Sequence, residues 1–361
     1  MIRLAHIVDN YAAELIAQHG HRLLPSQLAA LSAFRICRSS MSPRMELACD
    51  DCTEQSYLPH SCGHRHCPHC QAHESQRWIG QQSQKLVPGN YFMVTFTLPA
   101  QFRTLAWQHQ RVMYDLITRS AWETVNTFSR NDRKLRGTTG AVTVLHTHNR
   151  RLDYHPHVHL MMPSAAFDNK RRLWRNKDGG YLFDHKALAR VFRAKMLAGI
   201  KQAGITLPRQ YPEKWVVDCK AVGSGQKALV YLGRYLYRGV LPEKNIVANR
   251  DGNVTFRYQN SETRKMETRT LSGVAFLRLI LILQHILPKG YRRARNFGFL
   301  HPNSKLIPLV QLIKRVVLPP PQPRPVIRCK CCGGVMKIVR TRIKTFTHRL
   351  RILASNREMA T

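Results

Sequence analysis

The sequence predicts an α+β protein in which a helical, zinc-binding N-terminal module precedes a domain built around a central antiparallel sheet. Three observations favour this fold class: two helical patterns precede a pair of CxxC motifs, two strand-like segments flank a short turn, and a tyrosine-rich helical pattern follows. We divide the chain into domains at 1–85, 86–300 and 301–361. The last is a basic tail with a proline-rich linker at 319–325 and a cysteine knuckle.

Near its start, the chain has apolar residues at the spacing of an α-helix. Val8, Tyr11 and Leu15 recur on one helical face, and Pro25 begins a second helix, so that residues 8–36 form a helical pair.

Two CxxC motifs follow, with fourteen residues between them. They supply four thiolates, the number that a closed tetrahedral Zn²⁺ site requires. We therefore expect one structural zinc that supports the folding of residues 45–75 and is held by Cys49, Cys52, Cys67 and Cys70. Other side chains of this segment could replace a cysteine or build a second site: His60, Cys62, His64, His66 and His69. The sequence leaves open whether the half knuckle at Cys329, Cys331 and Cys332 completes a zinc site.

A pair of histidines marks the second domain. Strands are predicted at 91–98 and 140–148, with a helix at 103–129 between them, and a turn then leads into the segment HPHVHLMMP. This segment and strand 140–148 are predicted to form an antiparallel hairpin. Because side chains alternate along a strand, His157 and His159 share one face, while Val158 and Leu160 point to the core.

Two imidazoles on one strand face can bind one metal ion if a third ligand is supplied. The candidates for that ligand are His146, His148 and His155.

A tyrosine-rich helix follows further along the chain. The remaining predicted elements are helices at 184–203, 226–238 and 272–287 and strands at 214–219, 245–249, 253–258 and 266–271. Tyr231 and Tyr235 are four residues apart on the second of these helices and therefore share a face, close to Arg234 and Arg238. A tyrosine hydroxyl can attack phosphorus if the charge that develops is neutralised, and the two arginines are suited to bind the phosphate oxygens.

The charge of the chain indicates a polyanionic partner. There are 57 lysines and arginines against 21 acidic residues, a formal net charge of +36. Nucleic acid is the first choice of partner, although ribosomal-type and membrane-surface proteins are also strongly basic. The longest apolar run, 274–287, includes Arg278 and His285 and is too short to span a bilayer. With no secretory pattern near the start, we expect a cytoplasmic protein without a membrane partner.

These motifs together resemble a known family. The HxH strand, the YxxxY helix, the N-terminal CxxC and CPxC motifs and the segment from His285 to Leu300 are similar to the two-tyrosine HUH transposases of the insertion sequence 91 family. The resemblance covers about residues 10–335. It implies a zinc-binding N-terminal domain and an HUH (Rep/relaxase-like) nuclease domain with a ferredoxin-like antiparallel sheet.

The resemblance also implies an activity, which is cleavage of single-stranded DNA through a 5′-phosphotyrosine, assisted by Mg²⁺ or Mn²⁺, in a nucleoid-associated bacterial protein. By matching position, His157 and His159 become the metal pair, and Tyr231 and Tyr235 the nucleophiles. Imidazole suits Mn²⁺ better than Mg²⁺. We expect both tyrosines to be competent, with Tyr235 the less replaceable because it lies between two arginines.

Two other functions compete with this one. A zinc-finger protein that binds nucleic acid without catalysis would explain the charge and the cysteines, but not the HxH strand and the paired tyrosines. A metal-dependent hydrolase would explain the HxH strand, but it would need more strand-end ligands than the few histidines after residue 160 provide.

Overall fold

The computed structural model describes residues 2–343 apart from 40, 65, 66, 68, 69, 150–152, 238–240, 242, 261, 262, 264, 284–286, 289 and 317–325. The α-helices of this part of the chain are α1 Leu4–His19, α2 Pro25–Ile36, α3 Ala72–Ser83, α4 Arg103–Gln108, α5 Gln110–Asn131, α6 His185–Gln202, α7 Gln226–Tyr237, α8 Gly273–Leu283 and α9 Leu306–Ile313. The strands are β1 Arg44–Cys49, β2 Gln55–Pro59, β3 Tyr91–Thr97, β4 Gly140–His148, β5 Tyr154–Pro163, β6 Ala165–Asp168, β7 Leu173–Asn176, β8 Val217–Ala221, β9 Ile246–Arg250, β10 Asn253–Gln259, β11 Met266–Ser272, β12 Ala294–Gly298, β13 Ile327–Arg328 and β14 Val335–Ile343.

A five-stranded sheet forms the centre of the molecule, in the order β12-β4-β5-β3-β8. Every neighbouring pair in it is antiparallel. The predicted β4–β5 hairpin is confirmed, with His146 opposite His157 in the register. The mixed α/β composition, with antiparallel sheets after an N-terminal cysteine-rich module, agrees with the fold class that the sequence predicts.

Helices cover both faces of this sheet. On one face Phe92, Val94 and Phe96 of β3 are buried in the same apolar cluster as residues of α5 and α6. Helix α5 buries residues at four-residue intervals, such as Met113 and Ile117, which is the stripe of an amphipathic helix. On the other face, residues of α3 and α7 share a second cluster with Tyr91, Val142, Val144 and Met161. His157 and His159 alternate with the buried Val158 and Leu160, so they point to the face that α7 covers.

A second layer of structure joins distant parts of the chain. Residues of α1 and α2 are buried in one apolar cluster with residues of β9, β10 and α8. Strand β14 pairs antiparallel with β1, which places residues 335–343 in the same sheet as residues 44–59. The structure thus brings together residues of all three predicted domains. The sequence could not show this, because the residues that pair and pack here are far apart in the chain.

Nine of the described elements were not predicted from the sequence. These are α3, α9, β1, β2, β6, β7, β12, β13 and β14. The predicted strand at 214–219 lies at Val217–Ala221, and the predicted helix at 103–129 is divided into α4 and α5 at His109. The predicted linker at 319–325 and the end of the tail, 344–361, lie outside the described residues. Among the helices of the described chain, none has the length and apolar character that crossing a bilayer requires.

Candidate active site

Three histidines converge on the face of the sheet that α7 covers. His146 on β4 lies opposite His157 on β5, and His159 follows two residues later on the same face. One nitrogen of each ring lies within 4.8 Å of a nitrogen on each of the other two. The cluster therefore has the donor set of a three-imidazole metal site, a chemistry suited to Mn²⁺ or Zn²⁺.

Hydrogen bonds orient two of these rings. Nδ1 of His157 lies 2.7 Å from the carbonyl oxygen of His155 and donates to it. Nδ1 of His159 lies 3.0 Å from Oγ1 of Thr95 on the neighbouring strand. Such contacts fix the ring and leave Nε2 as the ligand atom.

Burial lowers the pKa of both imidazoles, to about 4 for His157 and about 3 for His159. Both rings are therefore neutral near pH 7, with a lone pair free for a metal ion.

The structure brings one of the three candidates for the third ligand close to the histidine pair. His146 joins the pair, whereas the other two do not. A register shift between His146 and His148 turns His148 toward Tyr154, whose ring centroid lies 5.7 Å away. His155 lies at the start of β5, where Nη2 of Arg103 donates to its Nδ1 at 2.8 Å.

Helix α7 brings both predicted tyrosines to this cluster. The ring of Tyr235 stacks on His146, with centroids 3.3 Å apart and an angle of 11° between the planes. The ring of Tyr231 lies 6.0 Å from His159 and is 46% exposed. The two side chains thus face the same histidines, one packed against them and one open to solvent.

Arg293, just before β12, is a residue of the site that the sequence analysis missed. Its guanidinium lies 4.7 Å from the centroid of the Tyr235 ring, and its Nε donates to the carbonyl oxygen of Leu145 at 2.9 Å. Burial raises the pKa of Tyr235 to about 12, and the positive charge of Arg293 opposes part of this rise. The available signal was the basic stretch at 292–295, which lies within the segment from His285 to Leu300 that resembles the family.

The structure describes one of the two arginines that were predicted to bind phosphate. Arg234 is exposed on α7. Arg238 lies outside the described residues. A cleft beside Tyr231 is lined by Lys220 and Lys227, and also by Asp218, which pairs with Lys220 at 3.0 Å. The open side of the site is therefore basic, and suited to a phosphodiester backbone.

The four cysteines that were predicted to hold one zinc ion fall into two separate groups. Cys67 and Cys70 group with Cys37 and Cys62, whereas Cys49 and Cys52 group with Cys329 and Cys332. The expected set of Cys49, Cys52, Cys67 and Cys70 is therefore corrected. The β1–β2 hairpin explains the separation: Cys49 and Cys52 lie at its turn, while Cys37 precedes it and Cys62 follows it. Six strand residues extend roughly 20 Å, too far for one metal ion to bridge.

The first of these groups, which we call the helix-end cluster (Cys37, Cys62, Cys67 and Cys70), has compact geometry. Sγ of Cys37 lies 3.4 Å from Sγ of both Cys67 and Cys70. Cys62, one of the open alternatives, is a member, and Cys37 was missed because it stands outside any CxxC motif. Of the histidines considered as substitutes, His64 packs edge-on against Phe34, and Nδ1 of His60 contacts the carbonyl of Ser61. His66 and His69 lie outside the described residues.

Comparisons with known proteins match most of the chain. The family described as "Transposase zinc-binding domain" matches residues 7–98, and the family described as "Putative transposase" matches residues 140–305. A protein of Sinorhizobium fredii, "Putative transposase y4qJ", is 31% identical over 322 residues, which is 82% of this chain and 80% of the relative. The "Transposase for insertion sequence element IS801" of Pseudomonas savastanoi pv. phaseolicola is 26% identical over 363 residues, covering 90% of this chain and 85% of the relative. No solved structure matches the chain.

Proposed function

The chain belongs to the insertion sequence 91 family of transposases, and from this premise we propose that it cuts and rejoins single-stranded DNA through a 5′-phosphotyrosine in rolling-circle transposition. One observation carries the proposal. Two tyrosines of one helix face a cluster of three imidazoles on the central sheet. A nucleophile, a metal-binding donor set and a basic cleft are thus close to one another.

The chemistry assigned to the chain is a transesterification. The hydroxyl oxygen of Tyr231 or Tyr235 forms a bond to phosphorus, and the bond from phosphorus to the 3′ oxygen breaks. The tyrosine loses its proton, and the departing oxygen takes up a proton to become a 3′ hydroxyl. The energy of the broken bond is kept in the phosphotyrosine, so the step can reverse and rejoin a strand. Two tyrosines on one face would let the enzyme hold two strand ends in turn.

The proposed catalytic metal ligands are His146, His157 and His159. Their imidazoles suit Mn²⁺ better than Mg²⁺, since Mg²⁺ prefers oxygen ligands. A divalent cation bound there would polarise a phosphate oxygen and stabilise the charge that develops on it. Thr95 and the carbonyl of His155 hold two of the rings in place for this role.

Other parts of the chain are assigned to DNA binding and to stabilising the fold. The chain has a zinc-binding domain with cysteine clusters, and we assign its structural zinc to the helix-end cluster. The proposed DNA contacts include Arg234, and the net charge of +36 favours a polyanion. The all-antiparallel central sheet with helices on both faces supports assignment of the nuclease domain to the HUH type with a ferredoxin-like sheet.

A covalent adduct tests this proposal. We would incubate the full chain with labelled single-stranded DNA and Mn²⁺ and separate the products on a denaturing gel. We expect a protein–DNA adduct that is absent from a Tyr231→Phe/Tyr235→Phe double variant and retained by Tyr181→Phe, an exposed tyrosine elsewhere. Free cleaved ends without adduct would indicate a hydrolase instead, and a shift on native gels alone would indicate a binding protein.

A further inference from the structure

The second cysteine group joins residues 49–52 to residues 329–332, which are far apart in the sequence. Cys49 and Cys52 lie at the turn between β1 and β2, and Cys329 and Cys332 lie in the loop between β13 and β14. We call these four residues the strand-end cluster. We propose that this cluster is a second structural zinc site, which fixes the β13–β14 hairpin to the N-terminal sheet. The proposal does not rest on the DNA chemistry above.

The sulfur positions fit a metal and not disulfides. Sγ of Cys49 lies 3.4 Å from Sγ of Cys332, and Sγ of Cys52 lies 3.8 Å from Sγ of Cys329. A disulfide bond would bring two sulfurs to about 2.05 Å. Four thiolates around Zn²⁺, each with a bond of about 2.3 Å, place neighbouring sulfurs roughly 3.8 Å apart. All four sulfurs of the cluster lie within 4.8 Å of one another, as a tetrahedral site requires.

Backbone amides surround the sulfurs in the way that stabilises thiolates. The amide of Asp51 donates to Sγ of Cys49, that of Cys331 to Sγ of Cys329, and that of Gly334 to Sγ of Cys332, each at 3.4 Å. Charge on a thiolate is stabilised by such donors. These contacts occur on both loops, so each loop presents a pair of sulfurs in the geometry of a zinc knuckle.

Two glycines let the loops take this shape and approach each other. Gly333 has φ of 76°, a left-handed conformation that most side chains avoid, and its amide donates to the carbonyl of Cys329 at 3.0 Å. A Cβ on Gly334 would collide with the carboxylate of Asp51 on the opposite loop. The Cys-Lys-Cys-Cys-Gly-Gly sequence at 329–334 is therefore fitted to the facing CxxC loop.

The sheet that these loops hold has little core of its own. Its buried apolar cluster within the described chain consists of Leu47, Cys329 and Met336. The ion pairs across it, such as Lys337 with Asp50 at 3.0 Å, are largely exposed and contribute little stability. A structural metal is the usual substitute where a segment cannot bury enough apolar surface. The proposed zinc thus supplies the stability that the β1–β14 pairing lacks.

The test is the zinc content of the full chain, purified under reducing conditions and measured by atomic emission. We expect about two zinc ions per chain, one for each cysteine cluster. Cys332→Ser and Cys37→Ser should each lower the content to about one, and the double variant to about zero. Cys331→Ser is the matched control, because Cys331 lies between two proposed ligands but is exposed and outside the cluster, and it should retain two.

A second variant at Cys332 separates loss of zinc from poor folding of the serine variant. Cys332→His restores a zinc ligand and should return the content to about two. With Co²⁺ in place of zinc, the same series should show thiolate-to-cobalt absorption that falls by about half in Cys332→Ser. One zinc per wild-type chain, unchanged zinc in Cys332→Ser, or equal loss in Cys331→Ser would each overturn the assignment.

Discussion

At the residue scale, the two tyrosines of α7 differ in environment although they share a face. Tyr231 is partly open to solvent beside a basic cleft, whereas Tyr235 is stacked on His146 beneath Arg293. Attack on phosphorus needs the phenolate, and burial raises the pKa of Tyr235 to about 12. Tyr235 therefore remains protonated near neutral pH, and its ionised fraction rises about tenfold per pH unit.

This difference predicts the behaviour of single variants. Tyr231→Phe and Tyr235→Phe should each leave some covalent adduct, and the double variant none. In Tyr231→Phe the initial rate of adduct formation through Tyr235 should rise by up to about tenfold per pH unit between pH 6 and 9, because the raised pKa keeps the phenolate scarce. Time courses on denaturing gels measure this. A plateau below pH 8, or label mapped to Tyr258, would contradict the assignment.

A second residue-scale prediction concerns the hydroxyl that orients His159. Thr95→Val keeps the shape of the side chain but removes Oγ1, which lies 3.0 Å from Nδ1 of His159. Loss of such a partner weakens metal binding by about 10- to 100-fold. The Mn²⁺ concentration for half-maximal adduct formation should rise accordingly. Thr97→Val, two residues along the same strand, is the matched control and should shift it much less; an equal shift in both variants would argue against a specific role for Thr95.

At the scale of elements, α7 carries both tyrosines, so its position on the sheet determines theirs. Gly233 is buried in this helix, and a Cβ there would collide with Ile79 of α3 and lie 3.1 Å from Trp78. Oγ of Ser75 on α3 donates to the carbonyl of Gly233 at 2.9 Å. The absence of a side chain at this position allows α3 and α7 to pack closely.

Replacing Gly233 with alanine therefore tests whether close packing or helix propensity has the larger effect on stability at this position. Propensity alone predicts that Gly233→Ala stabilises the protein by about 1 kcal/mol. We expect destabilisation of about 1–3 kcal/mol and loss of adduct from both tyrosines, because α7 must move away from α3. Gly80→Ala in α3, where the new Cβ meets no atom within 4 Å, should show the stabilisation instead. Denaturant unfolding of both variants measures the difference, and a stabilised Gly233→Ala would refute the packing argument.

The elements also show what a sequence can and cannot predict. Apolar spacing identified α1, α2, α5, α6 and α7, because a helix forms its pattern from local residues. Strand β12 has five residues and pairs with β4 some 150 residues earlier, and β1 and β2 are mostly half-buried or exposed, so neither leaves a clear local pattern. The same separation hid Arg293 and the partnership of Cys49 with Cys332, which only the folded chain brings together.

At the scale of the whole molecule, the positive charge is spread along the chain. The net charge of +36 comes from residues throughout the sequence, and the cleft beside Tyr231 carries Lys220 and Lys227. Affinity for a nucleic-acid backbone should therefore depend on many weak phosphate contacts and not on the histidines or tyrosines of the proposed catalytic site. Binding and cleavage should then be separable.

Salt dependence measures this separation. The logarithm of the association constant for single-stranded DNA should fall linearly with the logarithm of salt concentration, with a slope of about −0.7 for each phosphate neutralised. We expect a slope of about −3 or steeper, measured by fluorescence anisotropy in wild-type protein. In buffer without Mn²⁺, His157→Ala and the double tyrosine variant should retain that slope, because neither change removes a positively charged side chain. With Mn²⁺ present, both variants should lose the adduct.

The variants Lys227→Gln and Arg234→Gln test the contribution of single positive charges to DNA binding. Both side chains are exposed on α7, beside the proposed nucleophiles. Each substitution removes one charge and should make the slope shallower by about 0.7 if that side chain contacts a phosphate. A slope near zero in the wild type, or equal loss of binding and cleavage in a well-folded His157→Ala variant, would show that DNA is held by the catalytic cluster itself and not by the distributed charge.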